Sequence, residues 1–377
     1  MSVAAKDGLV AAIGLMSGTS MDGIDAALIW TDGVSVVRAG PALTVPYGKA
    51  LRRRLQKVVA ERGAEPRARE KVARDITLAH IEAVARLLAA TGTGAEAIDV
   101  IGFHGHTVFH NPAERVTIQI GDAALLAERT GIGVVAQMRL ADVKAGGQGA
   151  PLVPLYHAAR ASKLEKALAV LNIGGVANVT WLGADGRIVA YDCGPGNALI
   201  DDFVHAKTGK LYDASGTLSL SGKVDEAILA KLLDNPYFDL APPKSLDRNA
   251  FDASGVAALS AADGAATLAA FTVQTAARSL LKLGNPKQLL VCGGGRLNRG
   301  IMAGLAAALP ETEVVPVEKV GWRGDALEAE AFGYLAVRSL KGLPLSLPST
   351  TGVPQPMPGG EYTPAPGRAT ISLAAAS

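Results

Sequence analysis

The chain of 377 residues has only two cysteines, Cys193 and Cys292, far apart in sequence, so neither a disulfide framework nor a zinc-finger spacing can be built from it. Charge is sparse as well. Charged residues make up 19% of the chain, the formal net charge is +2, and no basic run is interleaved with aromatics, which leaves nothing to mark a nucleic-acid groove. Lys6 and Asp7 precede an apolar stretch too short to span a membrane and without a signal-peptide cleavage pattern. Small-molecule partners and a reducing, cytoplasmic compartment are the expectation, and there the sequon-like Asn178-Val179-Thr180 is coincidence. Three catalytic signatures are missing too. There is no Gly-x-x-x-x-Gly-Lys-Ser/Thr, no Gly-x-Gly-x-x-Gly between a strand and a helix, and no Gly-x-Ser-x-Gly. These absences argue against a P-loop enzyme, an ordinary Rossmann dehydrogenase and a serine hydrolase.

What the chain does have is length for more than one core, and small-residue turns between apolar runs. The first turn, Gly14-Leu15-Met16-Ser17-Gly18-Thr19-Ser20-Met21-Asp22-Gly23-Ile24-Asp25, lies between apolar stretches at 9–15 and 24–30 and reads as a hairpin tip. Gly18, Thr19 and Ser20 offer backbone N–H groups and hydroxyls with little bulk, which suits a polyphosphate. Asp22 and Asp25 repel phosphate unless a hard cation such as Mg²⁺ intervenes, usually through water. An ordinary hairpin with a polar tip fits the same residues.

Further along, 34–38 reads as a third strand, 47–62 and 67–90 as helices, and 98–103 as a strand delivering His104-Gly105-His106-Thr107 to a loop. Strands at 116–120 and 132–136 flank a helix at 123–129, with Asp122 as its N-cap. After the glycine cluster Gly146-Gly147-Gln148-Gly149, strands at 167–172, 176–182 and 187–192 repeat the opening pattern around Gly174-Gly175, which suggests two related halves, although chance could produce the echo. Gly194-Pro195-Gly196-Asn197 leads into a helix at 198–207. A strand at 288–292 runs into Gly293-Gly294-Gly295 and a helix at 297–309, a ready anion site. The last helix is expected at 325–340, and beyond about 344 the Pro/Gly content reads as irregular tail.

Three glycine turns in two halves suit a two-domain phosphotransferase, where catalysis is mostly positioning plus one carboxylate that takes a proton. Asp192, at a strand end before a glycine loop, is the candidate; a cap for the amides of Gly194 and Gly196 is the alternative. His104, His106 and His110, with His157 or Asp142, could instead ligate a metal in a hydrolase. Arg139, Asp142 and Lys144 could equally be a solvated face. Glu328 and Glu330, two apart on the last helix, cannot share one face.

These residues carry a resemblance. The first hairpin, Phe103-His104-Gly105, Gln119-Ile120-Gly121-Asp122, Gly146 to Pro154, Asn172 to Asn178, Asp192 to Asn197 and Cys292 to Gly295 together resemble the anhydro-N-acetylmuramic acid kinase family, in order over nearly the whole chain. The resemblance implies an α/β fold of two related domains of the actin-like ATPase (ribonuclease H-like) type, with ATP in the interdomain cleft. On it we place an N-terminal domain at 1–135, a C-terminal domain at 136–345 and a tail at 346–377. It implies ATP and Mg²⁺, with Asp22 and Asp25 near the metal through water, and ATP contacts at Gly18, Thr19, Ser20, Met21, Asp22, Gly23, Ile24, Asp25, Gly174, Gly175, Gly293, Gly294 and Gly295. It further implies Asp192 as the catalytic base, sugar contacts at His104, Gly105, Gly196, Asn197 and Glu328, and a homodimer. Two positions depart from the family pattern: His106, where Gln is common, and Gln137-Met138-Arg139, where Asp-Phe-Arg is common. A non-catalytic sugar or nucleotide regulator on the same fold is the other class of reading.

Overall fold

The computed structural model describes residues 8–18, 21–248 and 250–367. The chain opens with strands β1 (Val10–Met16), β2 (Gly23–Thr31) and β3 (Val37–Pro46), followed by helices α1 (Lys49–Ala60) and α2 (Pro66–Thr91). Next come β4 (Val100–Phe103), β5 (His106–Asn111), β6 (Val116–Ile120), α3 (Ala123–Thr130), β7 (Gly133–Ala136), α4 (Leu140–Lys144) and α5 (Pro154–Arg160). The middle of the chain supplies β8 (Leu168–Ile173), β9 (Val176–Leu182), β10 (Ile188–Pro195), α6 (Ala198–Thr208), α7 (Thr217–Ser221), α8 (Glu226–Leu233) and α9 (Ala261–Leu283). Then follow β11 (Gln288–Cys292), α10 (Arg299–Ala308), β12 (Glu313–Pro316), α11 (Leu327–Leu340), α12 (Pro348–Thr351) and β13 (Glu361–Thr363).

Contacts divide these elements into two units, Met1–Lys163 with Ala326–Ser377, and Leu164–Asp325. The first holds a sheet of order β3-β2-β1-β4-β7, extended by β13; the second holds β10-β9-β8-β11-β12. In each, the first three strands in sequence pair antiparallel, and the last two join in parallel beside the first. One strand order with one set of directions, occurring twice, bears out the related halves and is the ribonuclease H-like arrangement of actin-type proteins.

Local sequence explains most of the elements. β1 is buried along its whole length, as a central strand covered on both faces must be. Asp122 caps α3 as expected, accepting from Leu125 N–H at 2.9 Å, and Asn298 caps α10, accepting from Gly300 and Ile301. In the second unit Ala177, Val179 and Trp181 of β9 point into the core with Leu171 and Phe271, and α9 packs on that face. Period-two alternation turns Asn178 and Thr180 to the opposite face.

Three expectations change. His106 and Thr107 open a strand rather than lying in a loop: His106–Asn111 pairs with β6 as a separate two-stranded ribbon, because the β4 to β5 turn needs only His104 and Gly105, the latter at φ +68°. The segment 346–377 includes α12 and β13, and β13 pairs antiparallel with β7, matching Tyr362 to Val135. The boundaries expected at 135 and 345 do not coincide with the units either. α11 packs on β1, β2 and β4 of the first sheet, and an added Cβ on Gly102 would fall 2.6 Å from the Phe332 carbonyl carbon, so helix backbone lies directly on sheet backbone.

Candidate active site

In the first unit the hairpin between β1 and β2 is built from its root. The Met21 N–H reaches the Gly18 carbonyl at 3.1 Å, Met21 itself is at φ +50°, and the Tyr47 N–H bonds the Asp22 carbonyl at 2.9 Å. Gly23 has no room for a side chain, since a Cβ would lie 2.5 Å from the Val45 carbonyl oxygen. Ile24 is wholly buried in the core, so only its backbone is available to a ligand. Asp25 accepts from the Thr44 hydroxyl at 2.6 Å. Thr19 and Ser20 lie outside the described residues. Below the turn, buried Ser17 bonds both the Tyr47 hydroxyl and His106 Nδ1 at 2.8 Å, which ties the root of the hairpin to the start of β5.

His104 is 6% exposed and stacks at a tilt on Phe332, with ring centroids 4.6 Å apart. Its Nδ1 faces the Gly105 carbonyl at 3.0 Å and must donate, so Nε2 is the acceptor for Arg139 Nε–H at 3.2 Å. That requires a neutral ring, and burial first, then the Arg139 charge, holds its pKa well below the ordinary histidine value. Arg139 also donates to the Gly149 carbonyl at 2.8 Å. Asp142, 2% exposed, accepts from Gly149 N–H at 2.6 Å, from the Thr351 hydroxyl at 2.6 Å and from Ser346. Far from being a solvated face, Asp142 anchors the glycine cluster. His110 Nε2 donates to the Gln148 carbonyl at 2.9 Å and Nδ1 accepts from Thr117 at 3.0 Å. With ring nitrogens engaged in this way, and with no group of three or more His, Cys, Asp or Glu placed to hold a metal among the described residues, the histidine-metal alternative loses its ligand set. On α11, Glu328 is half-buried, whereas Glu330 is fully buried and accepts from the Tyr156 hydroxyl.

The second unit gathers three glycine turns at one end of its sheet. The Gly175 carbonyl accepts from Gly196 N–H at 3.0 Å, and the Gly174 carbonyl accepts from Asn197 N–H at 2.7 Å. The Asn197 carboxamide donates to the Ile173 carbonyl at 2.9 Å. Gly293, at φ +72°, would push a Cβ to 2.6 Å from the Ile173 oxygen, and a Cβ on Gly294 would stand 3.4 Å from Asn197 Nδ2. Arg296, buried, pins this loop: it donates to the Gly293 carbonyl at 2.9 Å, to Glu318 at 2.8 Å and to Asp325 at 2.8 Å. Gly174, Gly175, Gly196, Asn197 and Gly293 to Gly295 are therefore neighbours, at the carboxyl ends of parallel β8 and β11, where open α/β sheets bind ligands.

Asp192 stands near the end of the edge strand β10, just before a bulge between Asp192 and Gly194. A strap runs alongside. Asp192 N–H bonds the Lys244 carbonyl at 3.0 Å, its carbonyl accepts from the Tyr237 hydroxyl at 2.5 Å, and carboxylate Oδ2 accepts from Leu246 N–H at 2.8 Å. The capping alternative fails at Gly196, whose amide goes to Gly175 instead.

Residues 10–365 match the sequence profile of the family described as anhydro-N-acetylmuramic acid kinase. A protein of that name from Rhodospirillum rubrum is 53% identical over 97% of each chain, and one from Paramagnetospirillum magneticum is 53% identical over 93% of this chain and 99% of its own. The chain belongs to the anhydro-N-acetylmuramic acid kinase family. Among solved structures, the activator of 2-hydroxyisocaproyl-CoA dehydratase from Clostridium difficile with bound ADPNP aligns over 87% of this chain and 96% of its own, at 13% identity and a TM-score of 0.42.

Membership makes the protein a sugar kinase, a transferase, and directs attention to what sequence reasoning passed over. Tyr237 and Leu246 hold Asp192 from about fifty residues away, and no local pattern announces them. Arg296 braces the Gly293 turn and would have read as an ordinary charge beside a glycine run, whereas Asp142, offered by the sequence as a metal ligand or part of a solvated face, braces Gly149.

The buried histidines of the first unit carry a pH prediction. Burial pulls His80, His106 and His110 down to about 4 and His157 to about 3. The unfolded chain binds these protons below about 6.5 while the folded chain does not, so stability is complete above that pH and falls as acid is added towards 4. Each histidine contributes a slope of about 1.4 kcal/mol per pH unit in that window. Thermal melts should fall steadily from pH 7 to 5, a range above most carboxylate titration; a flat profile would refute the assignment.

Proposed function

We propose that the protein uses water to open the 1,6-anhydro ring of anhydro-N-acetylmuramic acid while transferring the γ-phosphoryl group of ATP to the released 6-oxygen, giving N-acetylmuramate 6-phosphate and ADP in peptidoglycan recycling. The observation that carries the reading is Asp192: a carboxylate at the end of an apolar strand, one oxygen fixed by Leu246 N–H, beside three glycine turns at a strand-end edge. In the step, Asp192 removes a proton from water as its oxygen bonds the anomeric carbon. The bond from that carbon to O6 breaks with its electrons on O6, O6 bonds the γ-phosphorus, and ADP leaves.

ATP contacts fall to Gly18 to Asp25, to Gly174 and Gly175, and to Gly293 to Gly295; sugar contacts fall to His104, Gly105, Gly196, Asn197 and Glu328. The oxygen donors Asp22 and Asp25 suit Mg²⁺, which keeps several waters and would reach them through these. When bound, the ion neutralises phosphate charge. The resemblance supports a homodimer working in the cytoplasm.

Incubating the purified chain with anhydro-N-acetylmuramic acid, Mg²⁺ and ATP should release ADP and yield a phosphorylated, ring-opened sugar. No ADP release would overturn the kinase and leave a non-catalytic regulator; ring opening without ATP would point to a hydrolase.

A further inference from the structure

Asn178 lies within β9, on the face it shares with Thr180, and nothing in the motif-based assignment of roles uses it. Its place in the sheet is specific. Asn178 pairs directly with Asp192 of β10 on one side and with Asn172 of β8 on the other, and Asn172 in turn pairs with Cys292 of β11. Directly paired residues present their side chains to the same face. That face is the one turned away from the α9-covered core, because the neighbours Ala177, Val179, Tyr191, Cys193, Leu171 and Ile173 all point into that core. Asp192, Asn178 and Asn172 therefore form a polar row across three strands, at the end of the sheet where the glycine turns Gly174-Gly175 and Gly293-Gly294 begin.

Two observations single out Asn178 within the row. It is half-buried, yet its carboxamide makes no hydrogen bond to any described residue, whereas Asp192 and Asn172 both have partners. Among the described residues nothing competes for its carboxamide, which remains open to a ligand or a water. Spacing supplies the second argument. The Cβ atoms of directly paired residues stand about 5 Å apart, which puts the Asp192 and Asn178 side chains next to each other on one face. No hydrogen bond joins the two side chains, so a water can bridge them.

We propose that Asn178 is a further catalytic residue: its carboxamide oxygen accepts the hydrogen of the attacking water that Asp192 does not remove, and so aims the water's lone pair at the anomeric carbon. Asp192 takes one proton, Asn178 keeps the second on the oxygen that becomes the new anomeric hydroxyl, and no proton passes to Asn178. The inference rests on the water-driven reaction proposed above.

The test uses the full-length enzyme with anhydro-N-acetylmuramic acid and ATP. Asn178→Ala removes the acceptor without leaving any protein group unpartnered, and kcat should fall about 10- to 100-fold, a lost water contact being worth roughly one to two decades, with the KM for ATP unchanged. Asn178→Asp places a second carboxylate next to Asp192, and like charges raise the pKa of the pair, so the acidic limb of the kcat profile should move up by about one pH unit. That limb reports the shared face; the kcat of Asn178→Ala, with a melting temperature equal to wild type, reports the water contact. If wild type turns over and Asn178→Ala matches it in kcat, the role of Asn178 is overturned while the kinase stands. If wild type releases no ADP, the proposed reaction falls and takes this role with it.

Discussion

Asp192→Asn is expected to remove turnover while leaving nucleotide binding intact. Positioned general bases contribute typically about 10²- to 10⁴-fold, which corresponds to about 3–5 kcal/mol of barrier, and the loss should appear in kcat. The substitution keeps the hydrogen bonds that tie Asp192 to the strap. The strap bonds to the backbone on both sides, through the Lys244 carbonyl and the Tyr237 hydroxyl. The carboxylate oxygen that accepts from Leu246 N–H is replaced by a carboxamide oxygen that can accept the same bond, though without the charge. An unchanged melting temperature and unchanged ATP titration, with ADP release reduced at least a hundredfold, is the expected set of results. Activity within about tenfold of wild type would return Asp192 to a structural part, since a missing base costs more than that.

Asp192 was legible in the sequence because it interrupts an apolar run just before two glycines, and the turns at Gly18, Gly174 and Gly293 were legible for the same reason: small residues between strands have few other uses. Asn178 breaks an apolar run as well, but one asparagine between Ala177 and Val179 in a strand gives no hint of its cross-strand neighbour, which depends on register against β10. β5 escaped because His106 to Asn111 alternates too weakly in hydrophobicity, and its strand character comes from pairing with β6. α11 was found at nearly the right residues yet assigned to the second half, because chain order suggests proximity. Its true seat follows from tertiary packing on β1 and β4, elements more than two hundred residues earlier.

That seat carries the second large prediction. Gly14 of β1 pairs with Gly102 of β4, and α11 crosses directly over both. A Cβ on Gly14 would overlap the Ala329 carbonyl oxygen and approach Gly333 N to 2.5 Å; Gly333 leaves only 3.1 Å for a Cβ of its own against Gly14 N. No flexible side chain can give way here, because the obstacles are backbone. Gly14→Val therefore must lift α11 from the sheet, an overpacking cost of about 3 kcal/mol or more, which for a unit of this size corresponds to a melting temperature lower by about 10 °C. Gly48→Ala is the control: it lies at φ −62° with nothing within 4 Å of the added Cβ, so the cost is only that of Ala for Gly at the N-cap of α1, about 1 kcal/mol or less. If Glu328 contacts the sugar as proposed, Gly14→Val that remains folded should also raise the KM for the sugar, because Glu328 precedes Ala329 on the displaced turn. A Gly14→Val protein that melts with wild type would mean that the helix does not rest on this glycine pair.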